Sequence, residues 1–322
     1  MAQSLRFAGV WIALAMIAFA GVAAGVQSPE AAPQSRGLFS TKDSWVPTSP
    51  TVWPWSSIGR ISVIRGTGRG QCTGTLVGPR HVLTAAHCFY NPVQNSWVDA
   101  TQVYFVAGPS QDGRFGGSFG ATALRVSPSF SREIRARSRW DNAPIATVQH
   151  DWAIIVLGNP INLKPVPVRG IPGADLPNAA EPGEIARAGY SNDRPFVLAI
   201  HRVCSVQTDL PQRDALRHQC ESTPGESGSP ILLLNEKEAN LVGIATAVHT
   251  TIEPGSRRRS QEAYGVSATA FATVVAATVG RTRSGSASGG LVSNSFPDSS
   301  ASPGLRYAPY ARSKRFRSTR RS

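Results

Sequence analysis

The chain has 322 residues with 30 Gly, 24 Pro and only 16% charged residues. That length allows one large or two small domains with a core of useful size, and the composition excludes a helical bundle in favour of a turn-rich β protein. The formal net charge is +13, but nine Lys/Arg against one acid lie between Arg281 and Ser322, and Arg6 adds one more. The rest carries an ordinary charge, so the basicity belongs to an appendage and no specific nucleic-acid partner is expected.

The first element is an export signal. Arg6 supplies the positive start, an apolar run extends from Phe7 to about Val26, and Val22-Ala23-Ala24 offers small residues for cleavage after Ala24. The run is nearly long enough to serve instead as an uncleaved anchor; Gly and Ala dilute its second half and favour cleavage. Residues 25–52 mix Gly, Pro, Ser and Gln and read as a linker or arm, pinned by Trp53 and Trp55. The domain proper is expected over 53–280. Four cysteines, Cys72, Cys88, Cys204 and Cys220, follow an export signal without any Cys-x-x-Cys pair, which points to two disulfides and to no metal site.

Strand-type runs begin at Ile61-Ser62-Val63-Ile64. Cys72–Val77, a Gly78-Pro79 turn and His81–Thr84 form a hairpin pattern, and Val103–Ala107 is another strand. Residues 108–120 read as loop, and Arg132–Arg139 as an exposed basic insertion. Ala153–Leu157 is fully apolar, hence a buried strand, and Pro/Gly-rich connections fill 158–184. Ile231–Leu234 and Leu241–Ala245 are late strands. One helix is predicted over Ala268–Val279 with Gly280 as its C-cap, followed by a basic tail over 281–322. Such a tail suits contact with anionic surfaces or simple solvation.

Three segments carry chemistry: Thr84-Ala85-Ala86-His87-Cys88, His150-Asp151-Trp152-Ala153-Ile154, and Thr223-Pro224-Gly225-Glu226-Ser227-Gly228-Ser229-Pro230. A serine hydroxyl becomes a competent nucleophile only beside a base; a histidine can be that base, and an acid can orient it. Each residue has a rival. His81 lacks the motif of His87. Asp141 precedes a turn, whereas Asp151 precedes the apolar run. Ser222 and Ser229 lack the flanking glycines of Ser227.

The first and third segments resemble the two signatures of the trypsin-like serine proteases, and Ser229 after the Ser-Gly pair resembles the bacterial glutamyl-endopeptidase branch. The resemblance covers about residues 55–280. It implies an all-β fold of two six-stranded antiparallel β-barrels, chymotrypsin-like, with a C-terminal α-helix. It also implies a monomeric, secreted or periplasmic serine endopeptidase acting on protein or peptide substrates without a cofactor. His87, Asp151 and Ser227 would be its triad, and the N–H groups of Gly225 and Ser227 its oxyanion hole. The other reading is an inactive binding protein on the same fold. The resemblance pairs Cys72 with Cys88 beside the histidine; adjacency along the chain favours Cys204–Cys220 over a crossed pairing. Closing loops of this length contributes about 3 kcal/mol each in the chain-entropy model.

Two features depart from trypsin. In trypsin-like zymogens the acid before the nucleophile takes a newly freed N-terminal amine. Here that acid is Glu226. Arg60-Ile61 resembles an activation site, but Ile61 lies 11 residues before Cys72 and inside a strand. Glu226 is therefore expected to be held by a basic side chain or by an N-terminus nearer residue 46. The pocket candidates are Glu221, Ser222, Thr246 and Val248, with Glu221 placed to favour Arg or Lys in a substrate. Ala245 stands where glutamate-specific relatives carry a histidine, and His249 lies further on.

Overall fold

The computed structural model describes residues 45–286, apart from 67, 92–93, 114–115, 136–144, 173–174, 177–183, 203–204, 208–209, 211–213, 221, 236–237 and 253–258. The expected export signal, the basic tail from residue 287 onward, Glu221 and Cys204 lie outside these residues. Among them, no helix is long and apolar enough to cross a membrane.

The chain opens with β1 (Trp45–Thr48), then β2 (Ile58–Arg65), β3 (Gly68–Gly78) and β4 (His81–Thr84). A small pair follows, β5 (Tyr90–Asn91) with β6 (Ser96–Trp97). Next come β7 (Val103–Ala107), β8 (Ser118–Val126), the helices α1 (Pro128–Arg135) and α2 (Ile145–Val148), and β9 (Ala153–Leu157). The later strands are β10 (Glu184–Gly189), β11 (Leu198–Arg202), β12 (Val206–Gln207), β13 (Ala215–His218), β14 (Pro230–Leu234), β15 (Ala239–Ile252) and β16 (Arg259–Ser267). A 3-10 turn at Ala268–Ala270 leads into α3 (Ala272–Ser286).

Strands β2-β3-β4-β9-β8-β7 close into a six-stranded barrel, as expected for the first half. The second half differs from the expected six-stranded barrel. It is an eight-stranded antiparallel sheet in the order β1-β11-β10-β14-β15-β16-β13-β12, and no ladder closes it among the described residues. One reason lies in the arm, which adds a strand: Trp45–Thr48 pairs with Leu198–His201 and forms an edge. Pro47 is tolerated there because an edge strand can leave its N–H side unpaired.

The apolar run of β9 shows why the two halves are inseparable. Successive strand residues face opposite sides. Ile155 and its partner Val82 point into the barrel core with Ile61, Leu76 and Phe105. Ile154 and its partner Leu83 point the other way, into a second core shared with Tyr190, Leu232, Ile244 and Phe271 of the later half. Both faces are buried, so the run is apolar throughout. Trp55 joins this second core, while Trp53 lies beneath the Lys164 ammonium, 3.7 Å from its ring centroid.

The last helix corrects one expectation. It passes through Gly280 instead of ending there: that glycine is not among those with positive φ, the conformation a helix-ending glycine takes. Its anchor is Phe271, fully buried with its ring 6.1 Å from that of Trp152, the residue after Asp151. Phe271→Ala is expected to lower unfolding stability by about 3–5 kcal/mol, the usual loss for a buried phenylalanine. Urea denaturation measures it; a loss under about 1 kcal/mol would show that the helix does not hold this core.

Candidate active site

His87 sits on a 3-10 turn, Ala86–Phe89, that follows β4. Asp151 lies just before β9, with its N–H donated to Val148 O at 3.0 Å. Because β4 and β9 are paired through Thr84↔Ala153, the two residues leave the same edge of the barrel side by side. The Asp151 carboxylate is fully buried and grips His87 twice. One oxygen faces the Nδ1 at 2.6 Å and the other accepts the His87 backbone N–H at 2.8 Å. With Nδ1 donating to Asp151, Nε2 is the nitrogen able to receive a proton. His81, the rival histidine, is buried against Gly78 and Val279 at the far end of β4, and burial, then the Arg80 and Arg125 charges, lower its pKa.

Ser227 occupies the turn before β14. Gly225 and Gly228 both have positive φ, 97° and 83°, a conformation that favours glycine. Both are also sterically closed. A Cβ on Gly228 would lie 2.2 Å from Thr84 Oγ1 and 2.9 Å from Ala85 N; one on Gly225 would lie 2.6 Å from Asn192 Oδ1. The serine turn is thus nested against the segment that leads to His87. Backbone hydrogen bonds lock it there: Thr73 N–H to Ser227 O at 2.8 Å, Gly228 N–H to Ala245 O at 2.7 Å, and Ala245 N–H to Ser229 O at 2.9 Å.

The N–H of Glu226 is turned back to Thr223 O, 3.1 Å away. The N–H groups on either side of it, of Gly225 and Ser227, make no hydrogen bond among the described residues. The rival serines differ in setting. Ser229 is fully buried, its Oγ packed where a Cβ on Gly189 would be only 2.1 Å away, whereas Ser222 and Ser227 are partly exposed.

The disulfide Cys72–Cys88 is present, with Cα atoms 6.4 Å apart. His87 lies within 4.8 Å of its sulfurs, but both thiols are consumed in the bond and offer no thiolate to a metal. Cys220 is also disulfide-bonded; its expected partner Cys204 lies outside the described residues.

Of the pocket candidates, Thr246 is buried on β15, Val248 is 40% exposed and Ser222 is partly exposed. Further along the same ladder, His249 stacks at 5.0 Å from the Tyr264 ring. Glu262 accepts from Tyr264 at 2.5 Å and from Arg217 at 3.0 Å. Those two bonds, the tyrosine's first, hold the Glu262 carboxyl below its usual range, while burial and the same bond push Tyr264 up to about 12.

Sequence reading missed what surrounds Glu226. The carboxylate is buried and receives Arg187 Nη2 at 2.9 Å, the Thr223 N–H at 2.8 Å and the Thr223 hydroxyl at 2.9 Å; His201 Nε2 stands 3.9 Å away. Of the two holders expected from sequence, the structure has the basic side chain. Burial pushes the Glu226 pKa up, but the Arg187 charge and the His201 bond outweigh it and keep the group ionised well below the usual carboxylate range. The available signal was Arg187 itself, a charge on the same strand face as Ile185 and flanked by alanines in β10.

With this geometry in place, known proteins supply the context. The trypsin-like peptidase domain family matches residues 72–244, and the chain belongs to that family. It is 34% identical over 170 residues to Serine protease 23 of Rattus norvegicus and of Homo sapiens, covering 50% of this chain but only 42% of each relative. The chain thus spans well under half the length of those proteins. It is 25% identical over 227 residues to a glutamyl endopeptidase of Bacillus licheniformis, covering 70% of this chain and 64% of that one. A solved Glu endopeptidase shares the fold, with TM-score 0.53, 21% identity and 97% of that chain covered. The Vibrio cholerae VesB protease superposes with TM-score 0.50 and 19% identity, covering 72% of this chain and 66% of that one.

The buried histidines give the site a pH dependence. Burial, then the Arg187 charge, depress His218 to about 3; burial also depresses His201. A histidine kept neutral in the fold carries no penalty above its unfolded pKa of about 6.5 and a growing one below it, about 1.4 kcal/mol per pH unit for each group. Glu226 acts in the same direction below its own unfolded value. Melting temperature is therefore expected to fall steadily from pH 6.5 toward 4, and His218→Gln to flatten the slope. A flat profile in the wild type would contradict the burial of these groups.

Proposed function

We propose that the chain is an exported serine endopeptidase in which His87, Asp151 and Ser227 form the triad. The observation that carries this reading is the two-point grip of the buried Asp151 carboxylate on His87, at its ring and at its backbone. Export is supported by the N-terminal apolar run and by the disulfide-bonded state of Cys72, Cys88 and Cys220.

In the proposed cycle, Nε2 of His87 takes the Ser227 hydroxyl proton as Oγ attacks the substrate carbonyl carbon. Negative charge develops on the carbonyl oxygen, and the N–H groups of Gly225 and Ser227 receive it. His87 then returns the proton to the leaving amine, which departs and leaves an acyl-enzyme. Water enters, gives a proton to His87, and the reverse sequence frees the acid and restores Ser227. Asp151 keeps the tautomer fixed and stabilises the imidazolium; it is not itself protonated. The substrate pocket is assigned to Glu221, Ser222, Thr246 and Val248. The basic tail is left as a surface contact outside the chemistry.

Digestion of a mixed peptide library tests the reading. Ser227→Ala is expected to lose on the order of 10⁶ in turnover, and Asp151→Asn about 10⁴ through the wrong histidine tautomer, both with the wild-type melting temperature. Cleavage is not expected to be confined to glutamate, since Ala245 replaces the histidine of the glutamate-specific branch. An unmodified chain that cuts nothing would leave the binding-protein reading, and a fully active Ser227→Ala variant would sink the triad.

A further inference from the structure

We infer that Arg187 is a positioning residue that sets the catalytic turn from inside the fold, so that the chain is competent without a cut at Arg60-Ile61. This rests on the protease reading above. The turn from Thr223 to Ser229 has one charged group at its centre, Glu226, immediately before the proposed nucleophile. A buried carboxylate needs a counter-charge and several donors. On Glu226 one oxygen, Oε2, takes the Arg187 guanidinium and both donors of Thr223, and the His201 ring stands 3.9 Å from the other. Both charged partners are almost completely hidden, 0% and 2% exposed.

The location of Arg187 gives the pair its leverage. It lies in the middle of β10, bracketed by β11 and β14, with Arg187↔His201 and Arg187↔Ile231 in register. It therefore cannot move independently of the sheet that carries the turn. Tying Glu226 to this strand holds its side chain inward, while the N–H groups of Gly225 and Ser227 make no hydrogen bond among the described residues. That is the arrangement an oxyanion hole needs, held before any substrate arrives.

The competing device is excluded by the position of Ile61. It is fully buried in the first barrel, paired with Cys72 on one side and Phe105 on the other, in the middle of an eight-residue strand. Freeing its amine would dismantle two ladders of the barrel that presents His87. The next residue upstream, Arg60, is also engaged: it donates to Pro195 O at 3.5 Å and its guanidinium lies 4.8 Å from the Phe196 ring centroid. An N-terminus made there would meet a Glu226 carboxylate whose charge Arg187 already balances.

The test combines steady-state kinetics on a peptide substrate with the mature N-terminus of the active wild type. Arg187→Met is expected to lower kcat by about 100-fold, the loss typical of a misplaced oxyanion donor, with KM changed less than about twofold. Arg187→Lys should restore at least about tenfold of that loss. The double variant Arg187→Met/Glu226→Gln removes both buried charges and so protects the fold, and its kcat should stay low. Near-UV circular dichroism identifies which variants are folded. Mass spectrometry should find the active wild type beginning upstream of Ile61. A folded Arg187→Met or double variant with wild-type kcat overturns the inference, and so does active wild type that begins at Ile61. If neither variant folds, the N-terminus alone decides. A wild type that cleaves no peptide defeats the protease reading instead, which keeps the two failures distinct.

Discussion

The hydrogen bond from the Thr73 N–H to the Ser227 carbonyl, 2.8 Å long, is the contact on which the rest of the structure depends. It joins the closed barrel to the later sheet at one point. Thr73 also donates through its hydroxyl to Gly225 O at 3.2 Å, and its own carbonyl accepts from Thr84 Oγ1 at 2.8 Å. One residue therefore touches the serine turn and the strand leading to the histidine. The space between them is so small that only glycine fits at position 228. At this seam two halves of the chain, more than a hundred residues apart, are held in register by backbone atoms and by Thr73, with Gln71 donating beside it to Tyr190 O at 3.1 Å.

Around that seam the polar groups are sorted by burial. Asp151 is wholly buried, yet both of its oxygens are bonded, and together they orient His87. Glu226 is almost as buried, and one of its oxygens is held by Arg187 and Thr223. The two carboxylates have different duties set by their surroundings: one faces an imidazole that can change charge, the other faces a guanidinium that cannot. His201 and His218 lie beside them and are biased toward the neutral form, first by burial and then by the Arg187 charge.

Much of the site was legible in the sequence because its chemistry and its backbone shape are written in the same residues. Gly225 and Gly228 mark the turn, and Ser227 stands out from Ser222 and Ser229 by those neighbours alone. Asp151 was separable from Asp141 because a strand apolar on both faces begins two residues later. The later sheet was harder. Strands β10, β11, β13 and β16 mix arginine, histidine, alanine and glycine, and their polar side chains are buried through long-range pairing that no local pattern records. β8 hid in part behind the glycine-rich run before it. The strand at Trp45–Thr48 was concealed by its Pro/Ser neighbours, and its addition at an edge is one reason the later sheet exceeds six strands among the described residues. Arg187 was visible as a charge in a strand, but its pairing with Glu226 was not, because the two lie 39 residues apart.

The account stands on Ser227 being a nucleophile activated by His87 across the seam at Thr73. Covalent labelling with a fluorophosphonate, followed by mass-spectrometric mapping of the modified peptide, reads this directly. The account predicts a single adduct on Ser227 in the unmodified chain and none when His87 is replaced by alanine. An adduct on Ser222 or Ser229, undiminished labelling without His87, or no adduct at all would contradict it.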